Sequence, residues 1–517
     1  GMKALKLNQL KAGAVLSYLS MGLGYLINIV YTPVMLRLLG QNEYGLYNLT
    51  YSLVAYLGLL SFGFGSSYVR FYSRFKVKQD QEGIAKLNGM FLMLFSAIGL
   101  AALLAGSVMV MNAETILGDK LTADEMSKAK ILMAILVVHI ALTFPPTVFH
   151  THITANEQFV YQKLLQMVKA LLSPFLALPL LLAGFGSLGM VTAMMVISIL
   201  AEVADIIYCF RKLRIRFKFR QLDFALFKEM TIFSSFLFLN MIIDTINWNI
   251  DKFILGRYQG TVAVAIYGLA AQLNNYYVSF STAIANVFIP RVNQMVALSD
   301  DNRQLTELFT RVGRIQFMLL SLICSGLIVF GRPFFHLWAG EVYDGSYSIM
   351  LLLVIPVTVP LIQSLGLEIQ KAKNKHKFRS LAYLGIAIFN LLISIPLAKQ
   401  YGGVGAAIGT AVSLMIGNGI LMNWYYHYKI GLNIKYFWGQ IFRFVPSLLP
   451  PLAIGVLIHQ LADLYDLASF LFFGLLYTVC FVISLWFLGM NGYEKELFGK
   501  PLGRLVKGVK MMQRKWT

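Results

Sequence analysis

Charge is what this sequence has least of. Asp, Glu, Lys and Arg make up 13% of its 517 residues, about half the share of an ordinary soluble domain. Cysteine is almost absent. Cys209, Cys324 and Cys480 are the only three, each inside an apolar run. That excludes a disulfide scaffold and leaves them as small core residues. The 14 prolines and 42 glycines are too few for a low-complexity chain. No GxxxxGK[ST] and no HExxH occurs, so there is no built-in ATPase loop and no zincin site. No catalytic residue, metal or cofactor is expected. Long polar segments are missing too. The longest loops are Asn112–Lys130 on one side and Arg211–Met230, Pro290–Arg314 and the tail from Asn491 on the other. The work of this chain is expected inside a membrane.

What is present is apolar sequence, 58% of the chain at a mean hydropathy of +0.67. At about 20 residues per crossing, this fills roughly fourteen spans. Fourteen runs can be marked, from Ala12–Leu36, Tyr44–Val69 and Leu87–Met111 to Ile441–Leu461 and Leu467–Met490. They are rich in Leu, Met and Ala and lack the two-residue alternation of spanning strands. The expected fold is an all-α integral membrane protein. No small-residue cleavage site follows the first run, which reads as a span. Gly1, ahead of Met2, reads as a remnant of tag cleavage.

The net charge is +20, yet no basic domain stands outside the runs, so nucleic acid is not an expected partner. Counting span ends with the nearer side, Lys plus Arg divide 35 to 8 between alternate loops, with Lys169 inside a span. The positive-inside rule then puts both termini in the cytoplasm. Such basic loops also attract anionic lipid headgroups.

The two halves resemble each other at a nearly constant offset. Gly40 and Gly256, Gly186 and Gly402, and Gly189 and Gly405 are each 216 apart. Pro146 and Pro360, Asn156 and Asn374, and Pro179 and Pro396 lie within two residues of that spacing. Leu39-Gly40…Tyr44-Gly45-Leu46 recurs as Leu255-Gly256…Tyr267-Gly268-Leu269. Six spans separate equivalent positions, so both halves enter the membrane in the same sense, a transporter pattern. The expected organisation is two six-helix lobes, 1–229 and 230–430, then two further helices in 431–490 and a basic cytoplasmic tail, 491–517.

The seventh run carries Asn240, Asp244, Asn247 and Asp251 at spacings of 4, 3 and 4, one helix face. Such a stripe faces either a watery cavity or a hydrogen-bonded seam. The reading favoured is a central cleft, with Asn28 of the first run opposite. That run also carries Tyr18, Tyr25 and Thr32, and the eighth, Val262–Ile289, carries Gln272, Asn275 and Ser279. These side chains suit sugar hydroxyls. Lys169 lies in the fifth run and either snorkels or enters the cavity. Arg70 and Arg291 close the second and eighth runs on the cytoplasmic side. With Lys169 they are expected to attract an anionic headgroup. Arg37 and Arg257 are outer-side cations that the positive-inside rule does not favour. Glu202 and Asp205, three apart in the sixth run, share a face. They could carry H+ or Na+, since a like-charged neighbour raises a carboxyl pKa, or pair with Arg211. Gly184–Gly189 matches GxGxxG but follows a helix, so it reads as a tight hairpin and not a dinucleotide loop. Gly402-Gly403-Val404-Gly405 does the same in the second half. His150 and His152 fall on different helix faces and make a poor metal pair. Pro145, Pro146 and Pro360 permit kinks within spans.

Leu38–Ser73, LLGQNEYGLYNLTYSLVAYLGLLSFGFGSSYVRFYS, resembles the start of bacterial polysaccharide transporters. These are the O-antigen (Wzx-type) flippase branch of the multidrug/oligosaccharidyl-lipid/polysaccharide exporter superfamily. DKFILGRYQGTVAVAIYGLAAQL, Asp251–Leu273, resembles the matching motif of the second lobe. The resemblance runs over essentially the whole chain. It implies a flippase of the bacterial cytoplasmic membrane that turns an undecaprenyl-diphosphate-linked oligosaccharide to the outer leaflet by alternating access. Its partners would be that glycan lipid and membrane lipids, with H+ or Na+ as the candidate coupling ion. The substrate-binding candidates are Lys169, Arg70, Arg291, Asn28, Asn240, Asn247, Gln272 and Asn275. The ion-coupling candidates are Asp244, Asp251, Glu202 and Asp205. Lipid II flippases use an arginine cluster around helix 1, where this chain has only Arg37. Drug exporters use a coupling acid, which Asp244 would supply. A membrane glycosyltransferase or polymerase would need a larger outer loop, and a channel repeated pore loops.

Overall fold

In the computed structural model, residues 2–299 and 301–516 are described; Gly1 and Thr517 lie outside them. Among the described residues every regular element is helical. Among the described residues thirteen helices are long and apolar enough to cross a membrane, one fewer than the fourteen runs expected. The eighth run accounts for the difference. It folds as the 26-residue helix Thr261–Asn286, but Gln272, Asn274, Asn275 and its Ser and Thr residues make it too polar to count as an apolar span.

Two compact units emerge from the packing: residues 1–269 with 387–409, and residues 270–386 with 410–517. They cut across the sequence repeat for a physical reason. Helix Phe224–Tyr258 packs on Gln41–Val54 and Phe64–Val77, so the start of the second half joins the first unit. Gln259 then donates through Nε2 to the carbonyls of Ala398 (2.9 Å) and Lys399 (3.0 Å), satisfying the end of helix Lys377–Tyr401.

The recurring glycine phrase is a packing device within the first unit. A Cβ on Gly45 would lie 1.9 Å from the Thr261 carbonyl oxygen, one on Gly256 2.4 Å from a Leu49 methyl, and one on Gly268 2.9 Å from the Asn48 amide carbon. Glycines of the phrase in each half thus pack against residues of the other half. Backbone cannot yield as a side-chain tip can. Gly45→Ala is therefore expected to destabilise by about 1–3 kcal/mol or more, and Gly256→Ala by less. Thermal unfolding of the two variants in detergent micelles measures both.

Several spans are broken into two helices, three of them as follows. The second runs as helix Gln41–Val54, a tighter turn Ala55–Ser61, a reversal at Phe62 (φ 54°) and Gly63 (φ 77°), and helix Phe64–Val77. The fourth stops at Thr143, crosses Phe144-Pro145-Pro146 and resumes as Thr147–Ala155. The tenth stops at Ile362, just past Pro360, and resumes as Leu365–Ala372. The two expected proline kinks are thus interruptions, at repeat-equivalent places. In the second unit the break is filled. Fully buried Gln316 donates to the Ser281 carbonyl (3.1 Å), the Ser281 hydroxyl (3.0 Å) and the Ser364 hydroxyl (3.1 Å).

The hairpin reading of the glycine clusters holds, with Gly184, Gly186 and Gly402 at positive φ. Arg257 is explained as well. Its guanidinium donates to the carbonyls of Thr115 (2.8 Å) and Ile116 (2.7 Å), closing the short helix Ala113–Leu117. In the second unit, Arg314 is buried against Glu494 (Nε to Oε1 2.6 Å). It also donates to the carbonyls of Gln440 (2.5 Å) and Gly489 (3.0 Å) and lies 4.1 Å over the Phe444 ring.

Candidate functional site

Irregular backbone at membrane depth is tolerated where it lines a cavity or is buried in protein. The breaks in the second and fourth spans do line one. A cavity of about 810 Å³ in the first unit is walled by Ser61, Gly63, Gly65 and Ser66 from one break and by Thr143, Phe144, Pro146 and Thr147 from the other. The first residues of helices Phe64–Val77 and Thr147–Ala155 therefore border it, and a helix start is the positive end of its dipole.

Two further helices complete the wall with matched stripes. Gln162, Gln166 and Lys169 recur at spacings of 4 and 3 on helix Phe159–Leu182, and Ser198, Glu202 and Asp205 do so on helix Gly186–Arg211. All six line the cavity, and the two helices pack together. Gly189 makes their hairpin close, since a Cβ there would lie 2.9 Å from the Leu180 Cβ. Lys169 is exposed on the wall, near enough to Glu202 for the two charges to interact. Asp205 is buried at 7% exposure. It accepts from the Tyr161 hydroxyl (3.1 Å) and lies 3.6 Å from His150 Nδ1. Tyr161 is held by stacking on Tyr208 at 3.9 Å. Glu202 accepts from Ser198 (3.5 Å). Among the described residues neither carboxylate pairs with Arg211. His152 turns the other way, into the aromatic core, at 2.8 Å from the Tyr68 hydroxyl.

The chamber thus offers two kinds of chemistry. Lys163, Lys169, His150 and two helix starts favour an anion. Glu202 and Asp205 favour a cation or a proton. Gln162, Gln166, Ser198, Thr143 and Thr147 present amide and hydroxyl groups suited to a sugar.

The family described as "Polysaccharide biosynthesis protein" matches residues 10–296, more than half of the chain. The chain belongs to that family. A relative from Shigella flexneri named "Putative O-antigen transporter" is 22% identical over 75% of this chain and 91% of its own. A Haloferax volcanii protein named "Probable flippase AglR" is 23% identical over 33% of this chain and 36% of its own. Among solved structures, "Lipid II flippase MurJ, inward closed conformation" superposes with a TM-score of 0.70 at 15% identity, covering 95% of this chain and 99% of that one. At that identity the likeness is one of fold.

In this polysaccharide biosynthesis protein, the cavity brings together three of the twelve residues singled out from sequence: Lys169, Glu202 and Asp205. The others lie elsewhere. Arg70 stacks 4.4 Å over Phe233. Arg291 is exposed on helix Ile289–Leu298 of the second unit. Asn28, Asn240 and Asn247 are half-buried and Asp244 is exposed; none lines the chamber, which touches the seventh run only at Met241. Asp251 is buried and accepts from the Tyr267 hydroxyl (2.7 Å). Gln272 donates to the Tyr276 hydroxyl (2.6 Å), and Asn275 is exposed. His150, Gln162, Lys163, Gln166 and Ser198 were missed. The 4-and-3 spacing that marked the seventh run also marks the fifth and sixth, and would have found most of them.

Proposed function

We propose that the chain flips a polyprenyl-diphosphate-linked oligosaccharide, on an undecaprenyl carrier, from the inner to the outer leaflet of the bacterial cytoplasmic membrane by alternating access. The observation that carries this reading is a polar chamber at two helix breaks in a polysaccharide biosynthesis protein. Lys169 and Lys163 would take the diphosphate. Gln162, Gln166 and Ser198 would take sugar hydroxyls, and the polyprenyl tail would stay in lipid. Arg70 and Arg291 would add positive potential where the headgroup enters. The name of the Shigella flexneri relative supports a glycan cargo, and the division of Lys plus Arg supports cytoplasmic termini. Segments 1–229 and 230–430 would be the two moving lobes, with 431–490 outside the repeat. Asn28, Asn240, Asn247, Gln272 and Asn275 would join the polar path at other stages of the cycle.

The carboxylates favour ion coupling and keep a cation-driven drug exporter as the second reading. One assay separates the two: proteoliposomes offered a fluorescent lipid-linked oligosaccharide or a drug cation. Glycan flipping without drug uptake supports the proposal, and the reverse result defeats it. In the same assay, Glu202→Gln combined with Asp205→Asn is expected to leave downhill flipping but abolish its acceleration by a proton or sodium gradient. Unchanged acceleration would move coupling to Asp244 or Asp251.

A further inference from the structure

The last helix, Gly492–Trp516, begins three residues after the final apolar span ends at Gly489. Its entry is fixed. Glu494 is held by Arg314, and its backbone N–H donates to the Asn491 side chain (2.9 Å). The helix therefore starts at the level where the last span leaves the membrane.

Beyond that anchor its sides separate by chemistry. Leu502, Leu505, Val509 and Met512 recur at spacings of 3, 4 and 3, one face of a helix, with Val506 at its margin. All five are more than half exposed. Lys500, Arg504, Lys507 and Arg514 occupy the opposite face. A stripe of exposed apolar side chains backed by cations is the pattern of a helix lying in a membrane interface. A second copy of the same helix is a poorer occupant. Both copies would carry like charge, and Gly499, Pro501, Gly503 and Gly508 weaken a long paired helix.

We propose that residues 498–515 lie flat on the membrane face that carries the C-terminus and bind anionic lipid there. The apolar stripe enters the acyl boundary, and the basic face draws headgroups along both sides. This does not rest on the transported substrate, so failure of the flipping assay would leave it standing.

Hydrogen–deuterium exchange on the full chain in nanodiscs tests it. One set of discs contains phosphatidylglycerol and the other only phosphatidylcholine. Each basic side chain near an anionic surface strengthens association about fivefold. Amides of 502–512 are therefore expected to exchange at least about tenfold more slowly in the anionic discs. High salt should remove most of that difference, because it screens the surface charge. The triple variant Lys500→Gln, Lys507→Gln, Arg514→Gln, which keeps Arg504, Lys510 and Lys515, should narrow the difference between the discs without removing it. Val509→Asp should speed exchange in both. Neither change touches the Arg314–Glu494 anchor. Equal exchange of the unmodified chain in the two discs would overturn the proposal. So would protection that tracks protein concentration and not lipid, which would assign the stripe to a second copy.

Discussion

Lys169→Ala is expected to slow glycan flipping by about ten- to a hundredfold. A hydrogen bond to a charged partner contributes about 1.5–3 kcal/mol, and Lys169 is the cation set deepest in the fifth span among the chamber's walls. Its side chain is exposed, so membrane insertion and protein level should not change. Lys169→Arg should retain part of the rate, because the charge stays while the geometry shifts. Lys169→Met keeps the stem and loses the charge, and should behave like alanine. Single-turnover flipping in proteoliposomes, at matched protein incorporation, measures all three. A full rate for the alanine variant would return Lys169 to the role of a snorkelling side chain. A ligand shifts a two-state equilibrium only through its differential affinity. The loss should therefore be largest where capture limits the cycle, at low substrate.

Arg314→Met is expected to have the largest effect on stability. It would leave the Glu494 carboxylate, 1% exposed, without the guanidinium 2.6 Å away. Breaking a buried pair by removing one partner costs about 3–5 kcal/mol. The Gln440 and Gly489 carbonyls would lose their donor as well. Replacing both charges, Arg314→Met with Glu494→Leu, should restore most of the loss, since a packed apolar pair of similar volume is often as stable. Thermal unfolding in micelles reads the cycle. Equal destabilisation in the single and double variants would show that the carbonyl contacts, and not the ion pair, hold this corner.

The spans and the glycine hairpins were legible because apolar runs and positive-φ glycines act locally. The proline breaks were legible as places where a helix can yield, though not as full interruptions. The reversal at Phe62-Gly63 carries no proline. Its signal was the glycine density of Gly58, Gly63 and Gly65, which also suits close packing. Lys169, Glu202 and Asp205 were found because a charge at membrane depth is conspicuous. Their neutral companions Gln162, Gln166 and Ser198 were not, although the spacing was there to read. Arg314 and Glu494 lie 180 residues apart, and Arg257 caps a helix end over a hundred residues earlier in the chain. Sequence spacing holds no trace of such pairs. The polarity of helix Thr261–Asn286 was visible, but its length and the repeat argued for one more apolar span.

The glycine contacts between the halves decide where the chain can be varied. Gly45 of one half presses on Thr261 of the other, while Gly256 and Gly268 press on Leu49 and Asn48. Gly40, the repeat partner of Gly256, has nothing within 4 Å of an added Cβ, so the two phrases share a sequence but not a set of contacts. The crowded positions are therefore closed to any side chain, while Gly40 needs glycine for its φ of 79°. The same divergence of equivalent places recurs at the helix breaks, one opening on a polar chamber while its counterpart is closed by Gln316.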